Sequence, residues 1–139
     1  ERKKITGMVF SDLGRAASFM ELDWVRESLR KNLGFAPHPG TLNVKLETDG
    51  AKELWRSIKS QDYGIEIAPP DAAHCQARCF LVTIEGKNQG AVQGAVQGAV
   101  IVPEVEGYPA DKLEVVAPVR LKDALEVADG GWITLEFID

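Results

Sequence analysis

One short segment, residues 33–46, constrains the fold more than any other part of the chain. It reads LGFAPHPGTLNVKL, which combines a helix end, two prolines and a strand. Gly34 suits the left-handed conformation that commonly ends a helix. Pro37 and Pro39 have a fixed φ and favour extended backbone in the residues before them. The chain must therefore leave a helix, pass through a stiff turn and enter a strand within this segment.

The strand that follows the turn alternates between apolar and polar side chains. Apolar residues occupy every second position: Leu42, Val44 and Leu46. The positions between and before them carry a hydroxyl, a carboxamide and an ammonium group: Thr41, Asn43 and Lys45. A polar row of this kind is either a solvated sheet edge or the wall of a site. Because oxygen ligands on a rigid element suit a hard cation and its phosphates, we predict a site here.

The composition limits the classes of protein to consider. A chain of 139 residues is long enough for one domain with a single core, and we expect residues 1–139 to form one domain. A net charge of −5 argues against nucleic acid or a membrane surface as a partner. No apolar run approaches the roughly 20 residues that span a bilayer, and no signal peptide opens the chain. Two cysteines favour a reducing cytoplasm. Because the chain begins with Glu1 rather than Met, the possibility of a further module upstream is left open.

The hydrophobic pattern predicts many short strands and two or three small helices. We predict strands at residues 4–10, 41–47, 65–68, 78–84, 95–102, 112–116 and 132–137. Two helices are expected to begin at caps, Asp23 and Asp49, and residues 121–127 are expected to form one or two helical turns. This mixture favours an α+β fold or a small closed barrel, without alternating βαβ units.

Residues 90–100 repeat a four-residue unit, GAVQGAVQGAV. Collagen needs glycine at every third position, and solenoid repeats are far longer, so both classes are excluded. We interpret the repeat as a duplication that lengthened a hairpin loop. The alternative is a mobile lid over a ligand.

The segment LGFxPxPGTLNxKL resembles the signature of the CTP-dependent riboflavin kinases. The resemblance continues in residues 7–14 and 98–125 and is weak over about residues 47–97. It implies a mainly β domain, a six-stranded closed barrel of the cradle-loop type with two or three short helices. It also implies Mg²⁺-dependent transfer of a phosphoryl group from CTP to riboflavin, so that riboflavin, FMN, CTP and CDP are the expected partners.

The resemblance also implies roles for individual residues. Thr41 and Asn43 would hold the Mg²⁺ ion that bridges the nucleotide phosphates. The nucleotide would contact two segments: Leu13, Gly14, Arg15, Ala16, Ala17 and Ser18 in the first, and Val119, Arg120, Leu121 and Lys122 in the second. Flavin contacts would fall on Glu106, which stands where the family usually has threonine, and on Glu114. We also take Glu114 as the candidate base for the flavin 5′-hydroxyl.

The first nucleotide segment departs from the family pattern GxGEGR. This chain reads DLGRAA over residues 12–17, and Gly14 is the one glycine retained. Ala16 adds a Cβ where the backbone of the resembling kinases approaches phosphate, whereas Arg15 could contact phosphate directly. Two interpretations therefore stay open: a riboflavin kinase, and a flavin- or nucleotide-binding module on the same barrel that has lost turnover. A DNA-binding or structural barrel dimer is disfavoured by the acidic charge.

Two further groups of residues invite a functional interpretation. His74, Cys75 and Cys79 lie close in sequence, but zinc needs three or four ligands and His38 is the only other histidine. We therefore expect buried apolar roles for the cysteines rather than a metal site. We expect Tyr108 to pack in the structure, with stacking on an isoalloxazine ring as the alternative.

Overall fold

The computed structural model describes residues 3–11, 22–61, 64–69, 76–86 and 95–138. These residues form the strands β1 (Lys3–Phe10), β2 (Leu42–Lys45), β3 (Ile65–Ile67), β4 (Ala77–Gly86), β5 (Val96–Pro103), β6 (Lys112–Val116) and β7 (Trp132–Phe137). They also form the helices α1 (Asp23–Leu33), α2 (Asp49–Ser60) and α3 (Leu121–Ala124). The predicted strands and short helices are confirmed, with bounds that differ by a few residues. The predicted nucleotide segment 13–18, His74 and Cys75 lie outside the described residues.

Six of the strands close into an antiparallel barrel in the order β4, β5, β6, β2, β1, β7. The barrel closes because one edge of the long strand β4 pairs with two different strands along its length, and the second of these is the last barrel strand, β7. Its first part pairs with β3, where Cys79 lies opposite Ile65, and its second part pairs with β7, where Ile84 lies opposite Leu135. The predicted six-stranded closed barrel is therefore confirmed, with β3 as an added seventh strand.

The barrel interior is filled by alternate side chains of its strands, and α2 covers part of it. Trp55 of α2 packs against two barrel aromatics, Phe80 at 5.5 Å and Phe137 at 5.7 Å between ring centroids. A second cluster lies on the other face of β4 and β5, where Val25 and Leu29 of α1 are fully buried. Both faces of these two strands are therefore covered. No described helix has the length and apolar character needed to cross a bilayer.

The predicted stiff turn between α1 and β2 is present, and its local geometry follows the sequence. Gly34 adopts a φ of 81° and donates its N–H to the carbonyl of Arg30 at 3.1 Å. Gly40, immediately before Thr41, also has a positive φ, of 90°. The His38 N–H donates to the carbonyl of Ala117 at 2.7 Å, beyond the end of β6. The proline turn is thus attached to the segment that leaves the neighbouring strand.

The two predicted helix caps were each wrong by one residue. The N-cap of α1 is Leu22, and Asp23 is the first helical residue, where it pairs with Arg26 at 2.5 Å. The N-cap of α2 is Thr48, whose hydroxyl accepts the Ala51 N–H at 3.1 Å. Both aspartates lie in the first helical turn, where a negative charge interacts favourably with the helix dipole.

Candidate functional site

A buried polar pair lies across two neighbouring strands of the barrel. Asn43 on β2 lies directly opposite Glu114 on β6, and their side chains are only 6% and 4% exposed. Leu42 and Val44, the neighbours of Asn43, belong to the core cluster inside the barrel. The polar row predicted from the alternation is therefore no solvated edge at Asn43. This burial favours the alternative in which the row forms the wall of a site.

The Glu114 carboxylate accepts a hydroxyl hydrogen bond on each of its oxygens. Thr41 donates to Oε1 at 3.2 Å, and Tyr108 donates to Oε2. The structure therefore brings together a predicted metal ligand, a predicted flavin contact and Tyr108, which was expected to pack, with stacking on the flavin as the alternative. Tyr108 was missed as a polar partner because it reaches Glu114 across the turn between β5 and β6. No local periodicity marks such a contact.

The oxygen atoms at this place fit a hard divalent cation. The side-chain carbonyl oxygen of Asn43 is buried and has no hydrogen-bond partner among the residues that the structure describes, although buried polar atoms in proteins are nearly always bonded. The Thr41 hydroxyl gives its proton to Glu114, so its lone pairs can face a ligand. Oxygen atoms are the ligands that hard divalent cations take in proteins.

A cavity of about 180 Å³ opens beside Thr41. One wall is the proline turn, residues 38–42, and the other is the segment that follows β6. The second wall includes all four residues of the second predicted nucleotide segment: Val119, Arg120, Leu121 and Lys122. Thr41 and this segment, which are far apart in sequence, therefore share one cavity.

The four residues of that segment differ in what their side chains contact. Val119 is 42% exposed, whereas Leu121 is 5% exposed and belongs to the barrel core. Arg120 pairs with Asp123 at 2.7 Å, and Lys122 contacts Asp129, which follows α3 in the chain. Two cations thus stand at the cavity, which suits an anionic ligand such as a phosphate group.

Lys122, Asp129 and Ser11 form a hydrogen-bonded cluster next to this cavity. The Lys122 ammonium lies 3.0 Å from one Asp129 carboxylate oxygen, and the Ser11 hydroxyl donates to the other at 2.5 Å. The Ser11 and Lys122 hydrogen bonds lower the pKa of Asp129 below its ordinary value. Ser11 ends the described part of the chain before the first predicted nucleotide segment. Through this cluster, Ser11, the last described residue before that segment, is linked to Lys122 in the cavity wall.

Glu106, the second predicted flavin contact, is exposed in the turn between β5 and β6. The next residue, Gly107, has a φ of 83°, and Tyr108 two positions on is half-buried and bonds to Glu114. The turn that carries Glu106 is therefore attached to the site through Tyr108.

Known proteins with similar sequences identify the family of this chain. The family CTP-dep_RFKase, described as domain of unknown function DUF120, matches residues 9–137. The chain belongs to this family. The match includes β2, β6 and the turn before β2, which together carry the polar pair and the cavity wall.

Several curated relatives are similar along nearly the whole of this chain. A riboflavin kinase of Archaeoglobus fulgidus is 33% identical over 138 residues, which cover 97% of this chain and 54% of the relative. One from Haloquadratum walsbyi is 34% identical over 136 residues, covering 96% and 56%. One from Aeropyrum pernix is 32% identical over 136 residues, covering 96% and 94%. The chain thus spans about half the length of the first two relatives and nearly all of the third.

Proposed function

We propose that this domain transfers the γ-phosphoryl group of CTP to the 5′-hydroxyl of riboflavin, giving FMN and CDP, with Mg²⁺. The observation that carries the proposal is the hydrogen bond between Thr41 and Glu114, which joins a proposed cation ligand to a proposed flavin contact. The names of the relatives, riboflavin kinase, support the same reaction. The proposed unit is one domain, residues 1–139, acting in the cytoplasm without nucleic acid or membrane.

Thr41 and Asn43 are the residues proposed to hold Mg²⁺. A bound Mg²⁺ would neutralise charge on the transferring phosphates. The chain would contribute fixed oxygen ligands to it, since Asn43 is buried and Thr41 is held by Glu114. The stiff turn before Thr41 limits the motion of these ligands, which favours positioning of the reacting groups.

The nucleotide is proposed to bind in the cavity beside Thr41, against Val119, Arg120, Leu121 and Lys122. Arg120 and Lys122 would attract its phosphates, while the apolar parts of Val119 and Leu121 would contact the rest of the molecule. The first segment would complete the nucleotide site with Leu13, Gly14, Arg15, Ala16, Ala17 and Ser18.

Glu114 is proposed to contact the flavin and to act as the base. Its carboxylate would accept the proton of the 5′-hydroxyl while that oxygen bonds to the γ-phosphorus. The bond from phosphorus to the bridging oxygen then breaks, and CDP leaves with both electrons of that bond. Glu106 would contact the flavin from the exposed turn. Phosphoryl transfer needs little more from a protein than such positioning and charge stabilisation.

A panel of donors tests the reaction. The purified chain is incubated with riboflavin and Mg²⁺ and with CTP, ATP, GTP or UTP separately, and FMN is resolved by chromatography. We expect FMN mainly with CTP, and we expect Glu114→Gln to lose most of the turnover. FMN from another donor would overturn the proposed specificity.

The absence of FMN with every donor, from protein shown to be folded, would contradict the kinase. It would favour the second candidate, a flavin- or nucleotide-binding module. The altered first segment, in which Arg15 and Ala16 replace the acid and a glycine of the family pattern, is the observation that favours this candidate. Binding of riboflavin or CTP without turnover would then identify it.

A further inference from the structure

We propose that Tyr108 is a positioning residue that orients the Glu114 carboxylate for its work in the site. The inference rests on the proposed function, in which Glu114 contacts the flavin and accepts a proton. It starts from one observation: Tyr108 and Thr41 bond to the two different oxygens of the same buried carboxylate.

The burial of Glu114 makes these two hydroxyl groups important. Its side chain is 4% exposed, so little water can replace a lost donor. Hydrogen bonds to a charged group are stronger than bonds between neutral groups, and a buried charged oxygen without one is costly. Removing the Tyr108 hydroxyl would therefore lead the carboxylate to rotate toward another partner.

The position of the Tyr108 ring does not depend on its hydroxyl alone. The Tyr108 N–H donates to the carbonyl of Val105 at 3.3 Å within the turn. The Lys112 ammonium lies 5.5 Å from the ring centroid, a distance typical of a cation–π contact, and Lys112 is itself 9% exposed. Tyr108→Phe therefore removes the donor while the ring stays held by the turn and by Lys112.

The consequence extends to the proposed cation ligand. Because Tyr108 occupies Oε2, Oε1 is left to accept the Thr41 proton, so that the lone pairs of Thr41 would stay available to the proposed cation. Through Glu114, Tyr108 would thus act on both the proposed base and the proposed cation ligand Thr41.

The kinetic test is a double-mutant cycle with Tyr108→Phe, Glu114→Gln and the combined variant. Loss of one bond to a charged group should lower the kcat of Tyr108→Phe by about 10-fold to 100-fold, with the KM for riboflavin changed by less than about threefold. The combined variant should be no slower than Glu114→Gln. Tyr63→Phe, the same change at the only other tyrosine, is the control. A Tyr108→Phe rate near wild type, or effects that multiply in the combined variant, would overturn the proposal.

A second measurement separates this proposal from the proposed reaction. The ¹³C resonance of the Glu114 side-chain carboxyl reports its hydrogen bonds whether or not the protein turns over. We expect Tyr108→Phe to shift that resonance and Tyr63→Phe to leave it in place. An unchanged resonance in Tyr108→Phe would overturn the role of Tyr108, even if wild-type protein makes FMN. If Tyr108→Phe shifts the resonance but the wild-type protein makes no FMN, the proposed reaction is refuted, whereas the hydrogen bond from Tyr108 to Glu114 is supported.

Discussion

Asn43 and Glu114 lie directly opposite each other on neighbouring antiparallel strands, and both side chains are buried. Two polar side chains with little access to water are costly unless their polar atoms have partners. Glu114 has two hydroxyl donors, whereas the carbonyl oxygen of Asn43 has no donor within the described part of the chain. Among those residues, a buried acceptor is therefore left unpaired at the place where the proposed cation would bind.

Replacing Asn43 with leucine should separate stability from function. Leucine has a similar size and removes the unpaired carbonyl, so the free energy of unfolding should be unchanged or higher by up to about 1–3 kcal/mol. FMN formation should fall by at least about 100-fold, because a proposed metal ligand is lost. Urea unfolding and the FMN assay measure the two quantities. A variant that loses stability but retains activity would contradict this role for Asn43.

Thr41→Val should reduce turnover, because valine cannot ligate the cation or donate to Glu114. We expect kcat to fall by about 10-fold to 100-fold. Thr6→Val is the matched control, since the hydroxyls of Thr6 and Thr134 lie 3.0 Å apart between β1 and β7 and are also partly buried. Steady-state assays of both variants give the comparison. Equal losses would mean that removing either hydroxyl acts through the fold alone.

Asp129 should make the stability of the fold sensitive to acid. Its pKa is lowered by the hydrogen bonds from Ser11 and Lys122, so the folded state favours the carboxylate. That contribution to stability is present above the ordinary pKa of 3.8 and is lost as the pH falls through the lower folded value. Urea unfolding at several acidic pH values should therefore show that the free energy of unfolding falls less with decreasing pH in Asp129→Asn than in the wild type. Asp123→Asn removes an equal charge from α3 and is the control; the same pH profile in both variants would contradict the assignment.

Cys79 should be unreactive in the folded protein. Burial raises the pKa of its thiol from an ordinary 9.0 to about 12, so almost no thiolate is present at neutral pH. In a Cys75→Ala background, where Cys79 is the only thiol, a thiol reagent at pH 8 should label the protein only after denaturant is added. Rapid labelling of folded protein would show that the second cluster, between α1 and the strands β4 and β5, opens readily.

The same shift predicts a loss of stability in alkali. Below about pH 9 the thiol is protonated in both states, and from there toward pH 12 the unfolded chain alone gains a thiolate. The free energy of unfolding should therefore fall more steeply with rising pH than it does in Cys79→Ala. Parallel pH profiles for the two proteins would contradict the burial of this thiol.

Gly98, in the last copy of the four-residue repeat, should not tolerate a side chain. A Cβ there would lie 2.4 Å from the carbonyl oxygen of Val116 and 2.8 Å from Ile84 Cδ1. Gly98→Ala should lower the free energy of unfolding by about 1–3 kcal/mol. Gly50 lies in α2, and a Cβ there would meet no described atom within 4 Å outside its own helix backbone and chain neighbours, so Gly50→Ala should raise the free energy of unfolding by about 0.4–1 kcal/mol. Urea unfolding gives both values, and equal effects would contradict the close approach of β5 to β6.

The repeat shows which features of the fold the local sequence pattern predicts and which are visible only in the tertiary structure. The sequence predicted a strand over residues 95–102, and β5 covers Val96–Pro103, so residues 96–100 of the repeat belong to a barrel strand. Why Gly98 stands in that strand is visible only in the structure, because the atoms that approach it belong to Val116 and Ile84 on two other strands. The duplication proposed for residues 90–100 stays a prediction, and its residues 90–94 lie outside the described residues.

The amino-acid sequence by itself determined the elements and the family. Alternation placed the strands, Gly34 and the prolines defined the turn before β2, and the GTLN signature indicated the riboflavin kinase family, because all of these signals are local along the chain. The partners of the site required the tertiary structure. Tyr108 reaches Glu114, and Lys122 reaches Asp129, because barrel closure decides which side chains meet across strands and turns. Hydrogen bonds of that kind depend on distance and angle in space, which residue spacing does not specify.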